Sequence, residues 1–314
     1  MRDSVSFKVF CTKVEREVKE RMYIHKGDVE LREMTKNNNK TFTGLQCTYE
    51  GMNIAPIIYL ESFYDSYVSG ESMGVIVDKI VTQMLSANTD SVMFRELKRL
   101  LDNEASLDER IVYRLVNIKS NTKYLVDKPF IPYLDMAIIF AVQVSADIEG
   151  IASVIITKSL MKSLGYTVEK LYELAKVNTP KLFKYRFSSM NDILGALFSE
   201  ECVSDLNSID VPLEDDINMY VLSNSIGISG AATILYDNLL ADIAEKLDSD
   251  LIILPSSVHE VIMVPKSQHP DASSYEQLKA MVQEINLTQV PSEEVLSNNV
   301  YLYDRHRNAL QIIS

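Results

Sequence analysis

The most apolar stretch of this chain, Met136–Val144, is nine residues long and lies between Asp135 and Asp147. A membrane helix needs about 20 such residues, so this stretch reads as a buried strand. Ile151–Ile156 follows after Asp147–Gly150, whose Asp and Gly suit a tight turn, so the spacing predicts two neighbouring buried strands. The pattern returns near the end of the chain, where Leu251–Leu254 and Val258–Val264 flank Pro255, Ser256 and Ser257.

Between these runs the periodicity changes. Val5, Val9, Val14 and Val18 among Lys, Arg and Glu predict an amphipathic helix over Val5–Tyr23. Asp28–Met34 and Thr41–Tyr49, joined by the polar Lys36–Lys40, predict a hairpin, and Asn53–Leu60 adds a further apolar stretch. Helices are expected over Met73–Leu85, from a Thr167 cap to about Val177, over Ala231–Leu247 and over Ser274–Ile285. Strands are expected at Arg110–Ile118, Met219–Ser223, Val300–Tyr303 and Ala309–Ile313. Together these describe an α/β or α+β protein, with mixed sheets, packed helices and a compact C-terminal unit that ends in a β-hairpin.

A chain of 314 residues favours two domains. Composition shifts to Glu, Asp, Ser and Pro212 between Ser199 and Asp216, which places a boundary there. The expected division is an α+β region over 1–210, itself divisible near 1–65 and 66–210, and an acidic α/β domain over 211–314. Residues 201–300 hold 17 Asp and Glu against Lys246, Lys266 and Lys279, a balance of −14, whereas residues 1–200 hold 26 charges of each sign. That acidity disfavours nonspecific nucleic-acid binding, which needs Lys and Arg on phosphates, and suits a docking face for a protein with a basic surface.

Arg2, Asp3 and Lys8 interrupt the first residues, so no signal peptide is expected. Cys11, Cys47 and Cys202, odd in number and widely spaced, suit a reducing cytoplasm rather than a disulfide framework or thiolate metal site. Ten glycines are few against the roughly 7% usual, which leaves little material for phosphate-cradling loops. No cofactor and no metal are expected, since neither an HExxH motif nor paired CxxC motifs occur.

Two motifs could carry chemistry. Gly70-Glu71-Ser72-Met73-Gly74 matches the G-x-S-x-G nucleophile elbow, with His259 downstream and Asp237 or Asp250 between them. The residues before it, Tyr64–Ser69, are polar and helix-compatible instead of a buried strand, so Ser72 reads rather as a helix N-cap. In Leu254–Val261, Ser257 and His259 are two apart and share a strand face, a conceivable nucleophile and base, while Glu260 points to the opposite face. The alternative is that Ser257 and His259 satisfy each other and hold a hairpin. Glu214, Asp215 and Asp216 read as solvated linker charge, and Lys181–Phe187, with cations and aromatics interleaved, as one amphipathic strand.

Several blocks carry a resemblance: Thr35–Asn38, Asn53–Leu60, Met219–Asn224, Gly230–Ala232, Leu254–Val261 and Tyr301–Asp304. Through them the chain resembles, over nearly its full length, an uncharacterised bacterial domain-of-unknown-function family found in gut anaerobes and often on their mobile elements. The resemblance implies a cytoplasmic bacterial protein and brings no activity with it. The leading expectation is therefore a binding or adaptor protein, more than an enzyme, that docks a macromolecular partner through its acidic C-terminal domain. The alternative is a serine hydrolase using Ser72 or Ser257 with His259.

Overall fold

The computed structural model describes residues 5–49, 57–88, 99–100, 103–147, 150–193, 195, 219–268 and 272–313. The chain forms two compact units that divide between Asn103 and Glu104.

In the first unit, α1 (Phe7–Tyr23) buries Phe10, Cys11, Val14, Val18 and Met22, a stripe at the spacing of one helical face. The stripe packs with Val29 of β1 (Gly27–Thr35), with Leu45 and Cys47 of β2 (Thr41–Tyr49), and with Ile76, Val77 and Ile80 of a later helix. Asn38 and Asn39 take the left-handed backbone (φ 57° and 53°) that reverses the chain between β1 and β2. Asn tolerates that region better than most residues. β3 (Ile57–Tyr59) pairs with Gly44–Gln46 of β2. Gly44 is required there, because a Cβ would stand 2.2 Å from the Ile57 side chain. Two helices follow, α2 (Glu61–Val68) and α3 (Met73–Asn88).

The second unit holds two antiparallel sheets. After α4 (Glu104–Asp108), β4 (Ile111–Asn117) pairs with one edge of the long β6 (Met136–Asp147). β5 (Phe130–Tyr133) and β7 (Gly150–Ile155) also pair with β6. α5 (Lys158–Ser163) leads to α6 (Val168–Leu182), whose N-cap is Thr167, accepting from Lys170 N. α6 closes the free edge of β4: Asn178 Nδ2 donates to Ile111 O at 3.1 Å, and Thr179 Oγ1 accepts from Tyr113 N at 3.1 Å. An open strand edge would otherwise be a pairing liability.

The other sheet runs in the order β13-β12-β10-β11-β9-β8. Its strands are β8 (Tyr185–Ser189), β9 (Tyr220–Asn224), β10 (Leu251–Leu254), β11 (Glu260–Pro265), β12 (Tyr301–Asp304) and β13 (Ala309–Ile312). α7 (Leu239–Lys246) precedes β10, and α8 (Ala272–Thr288) follows β11. Every residue of β10 is buried, which its unbroken Leu-Ile-Ile-Leu sequence anticipates. Leu278 and Val282 of α8 cluster with its Ile252 and Leu254, each such side chain contributing about 1.5–3 kcal/mol on burial.

All pairings among the described strands are antiparallel, so of the two fold classes expected the chain takes α+β, with the terminal hairpin at β12–β13. The first helix, the β1–β2 hairpin and the β6–β7 pair also stand where the sequence places them, but the buried stripe of α1 takes in Phe10, Cys11 and Met22 and leaves Val9 exposed. The boundary expected at Ser199–Asp216 differs. β8 lies before it and β9 after it, yet Tyr185–Ser189 pairs with Tyr220–Asn224 in one sheet. Composition reports local solvation, not the distant strand that completes a sheet. Lys181–Phe187 is not one strand, since α6 runs to Leu182 and Phe183 N closes it on Thr179 O. The helix expected over Ala231–Leu247 splits into a 3-10 segment, Gly230–Leu235, and α7, with Asn238 between them at φ 61°. Glu214, Asp215 and Asp216 lie outside the described residues.

Candidate functional site

The site is built on the connection between β10 and β11. Pro255–Val258 does not turn alone but pairs with a returning segment. Val258 N donates to Glu294 O at 2.8 Å, Leu296 N to Ser256 O at 2.9 Å and Ser297 N to Pro255 O at 2.9 Å. Ser257 bridges Val295 and is 5% exposed. Its Oγ accepts from the main-chain N–H of His259 at 3.0 Å. The hydroxyl therefore meets the backbone of His259 and not its ring.

The imidazole has other partners. Ser229 N donates to Nδ1 at 3.3 Å, and Nε2 stands 3.3 Å from Glu294 Oε1. With Nδ1 accepting from a backbone N–H, the ring turns Nε2 toward the Glu294 carboxylate. The Nδ1 lone pair is already occupied by a backbone donor, so the ring is not poised to take a serine proton. Ser229 adopts the left-handed region at φ 53°. Next to it, a Cβ at Gly230 would stand 2.4 Å from His259 O and 2.2 Å from Ser223 Oγ, so only glycine lets the 225–230 loop approach. Asn224 shapes that loop, its Oδ1 accepting from Ile226 N and Gly227 N.

His259 and Glu260 line one open depression of about 350 Å³ together with Ser257, Gly227, Pro291 and Glu294. The alternation expected from the sequence fails here because β11 begins at Glu260, leaving His259 in the irregular connection.

Ser72 stands elsewhere. It belongs to the first unit and precedes α3, with Val75 N 3.4 Å from its Oγ and Ile76 N donating to its carbonyl at 3.1 Å. The preceding element is α2, so the strand-to-turn-to-helix frame of a nucleophile elbow is not built. Asp237 pairs with Lys176 at 2.9 Å. Asp250 pairs with Lys266 at 3.3 Å and accepts from Arg305 N at 3.1 Å. The carboxylate that meets His259 is Glu294, a residue that sequence reasoning missed, as it missed Ser229. No spacing signal links positions 35 residues apart, and a returning loop joins them. Among the described residues, no group of three or more His, Cys, Asp or Glu could hold a metal ion.

Residues 7–305 match a family described as a family of unknown function (DUF5688). The chain belongs to that family. No curated protein and no solved structure matches it. The family match spans both units and takes in the His259 depression, including Ser229 and Glu294. It also takes in a second polar centre at the far end of the same returning segment. There Asp135, in the β5–β6 turn, accepts from Ser297 Oγ at 2.7 Å, from Asn299 Nδ2 at 2.9 Å and from the Tyr301 hydroxyl. Burial, with Asp135 beside it, holds the Tyr301 hydroxyl pKa far above its ordinary value. The 294–301 segment of the DUF5688 chain is thus tied at one end to the His259 connection and at the other to the four-stranded sheet.

Proposed function

We propose that this protein is a binding or adaptor module that receives a cationic side chain of a partner protein in the depression around His259, Glu260 and Glu294. The observation that carries the reading is the lining itself: two carboxylates and, among the described residues, no Lys or Arg. The region's −14 balance between residues 201 and 300 supports it. So does the pairing of nearby-sequence cations elsewhere, Lys266 with Asp250 and Arg305 with Asp248. Ile226 and Ile228, 40% and 41% exposed on either side of Gly227, add apolar contact for the residues next to the cation. A partly desolvated ammonium or guanidinium on these carboxylates is worth about 1.5–3 kcal/mol. Among the described residues no helix is long and apolar enough to cross a membrane.

The test is a titration with short arginine- or lysine-containing peptides, followed through the backbone amide shifts of residues 225–230 and 257–260. Salt-weakened binding that is lost in the double variant Glu260→Gln, Glu294→Gln is the expected result. Equal binding of peptides with acetylated lysine, or shifts confined to other parts of the chain, would remove the reading.

A further inference from the structure

A separate concave surface lies where α6, β8 and α7 meet in the second unit. It is an open groove of about 470 Å³, within the range of small-molecule sites. Its walls follow from helical spacing. Lys176 and Pro180 are four apart on α6, and Leu239 and Asp242 are three apart on α7, so each pair presents one face. Tyr236 is fixed between them, its hydroxyl donating to Phe183 O at 2.6 Å. Asn238, at φ 61°, sets the direction in which α7 starts.

The charges in this groove are balanced in a particular way. Lys176 and Asp237 form an ion pair at 2.9 Å and neutralise each other. Lys184 and Asp242 also line the groove, and neither has an ion-pair partner among the described residues. One unpaired charge of each sign therefore remains. A simple anion at Lys184 would face two aspartates, and a simple cation at Asp242 would face two lysines. A ligand that carries both charges meets each with its complement. The same lining also offers apolar surface: Tyr185 is 55% exposed, with Pro180 and Leu239 beside it in the groove.

We propose that this groove binds a small zwitterion with an apolar body, a free apolar or aromatic α-amino acid or the corresponding dipeptide. Its carboxylate lies at Lys184, its ammonium at Asp242 and its side chain against Tyr185. The site is independent of the acidic depression, shares no lining residue with it, and involves no covalent step.

The experiment is calorimetric titration of the full chain with four probes: phenylalanine, phenylalanyl-phenylalanine, N-acetyl-phenylalanine and phenylalanine amide. Binding of either zwitterion is expected, and which of the two binds more tightly tells a free amino acid from a dipeptide. Loss of the ammonium or of the carboxylate should weaken binding roughly tenfold or more. Lys184→Gln should weaken the zwitterion by a similar factor while leaving the amide as in the parent protein, and Asp242→Asn should mirror this with the N-acetyl compound. Circular dichroism checks that both variants fold. Three results would overturn the proposal: no binding of either zwitterion at millimolar concentration, capped probes that bind as well as uncapped ones, or charge variants that bind like the parent.

Discussion

The two units of this protein are held by different kinds of interaction. The first closes on apolar contacts between elements close in sequence: the α1 stripe, the adjacent hairpin and α3 share one cluster, with Phe10 against the rings of Tyr64 and Tyr67 at 5.3 Å. The second unit also has apolar clusters, but its two sheets are joined through polar groups far apart in sequence. Asp135 binds Ser297, Asn299 and Tyr301, and Asn117 Nδ2 donates to Leu296 O at 3.0 Å. Apolar burial tolerates small shifts of its members, whereas a buried polar centre is stable only when every member is satisfied. The second unit should therefore respond to the loss of single polar atoms and the first to the loss of volume.

The largest effect expected is from Phe10→Ala, which removes a fully buried ring from the first unit and should cost about 3–5 kcal/mol. Urea unfolding measures it, and hydrogen exchange should locate the loss in α1 and β1–β2. Asp135→Ala should cost about 2–4 kcal/mol, because it removes the acceptor shared by Ser297, Asn299 and the buried Tyr301 hydroxyl and leaves that hydroxyl only Ser297 Oγ. Its exchange signature should fall on residues 294–304 and leave α1 protected. Equal loss in both places would break the contrast.

Alkali gives a sharper comparison. Burial raises the hydroxyl pKa of Tyr113, Tyr236 and Tyr301, all in the second unit. In the unfolded chain each ionises near pH 10. The folded state binds these protons more tightly, so their contribution is complete below about pH 10 and is lost as pH rises toward the folded values. The slope is on the order of 1 kcal/mol per pH unit for each tyrosine. Unfolding titrations between neutral and strongly alkaline pH, read by tyrosinate absorbance, should show these three ionising together with the loss of second-unit structure. Ionisation well before unfolding would contradict the burial.

The smallest effect expected is from Ser72→Ala, which removes a helix cap and should cost about 1 kcal/mol. Neither the parent nor a Ser257→Ala variant should be labelled by a fluorophosphonate probe, since Ser257 Oγ accepts from a backbone N–H and Ser72 caps α3. Labelling that disappears in either alanine variant would restore a nucleophile.

What could be read in the candidate site follows the same divide. Ser257 and His259 are two apart in sequence and do interact, but through a hydroxyl and a backbone N–H. Sequence spacing indicates nearness without saying which atoms meet. Glu260 reads from the sequence as pointing to the face opposite His259, and its share with His259 in one depression was not legible, because that depends on where β11 begins.

Residue order by itself determined the local elements: the α1 helix, the Asn-turned β1–β2 hairpin, the Thr167 and Ser72 caps, the buried β10 and the closing β12–β13 hairpin. Each depends on spacings of one to four residues, or on alternation, and these act within a few ångströms along the chain. Only tertiary structure decided that β8 joins β9 across the acidic segment, that Ser229 and Glu294 hold His259, and that Asp135 meets Tyr301. Those contacts form when distant segments are brought together by burial of their neighbours, and a hydrogen bond between residues more than a hundred positions apart leaves no periodicity in the sequence that encodes it.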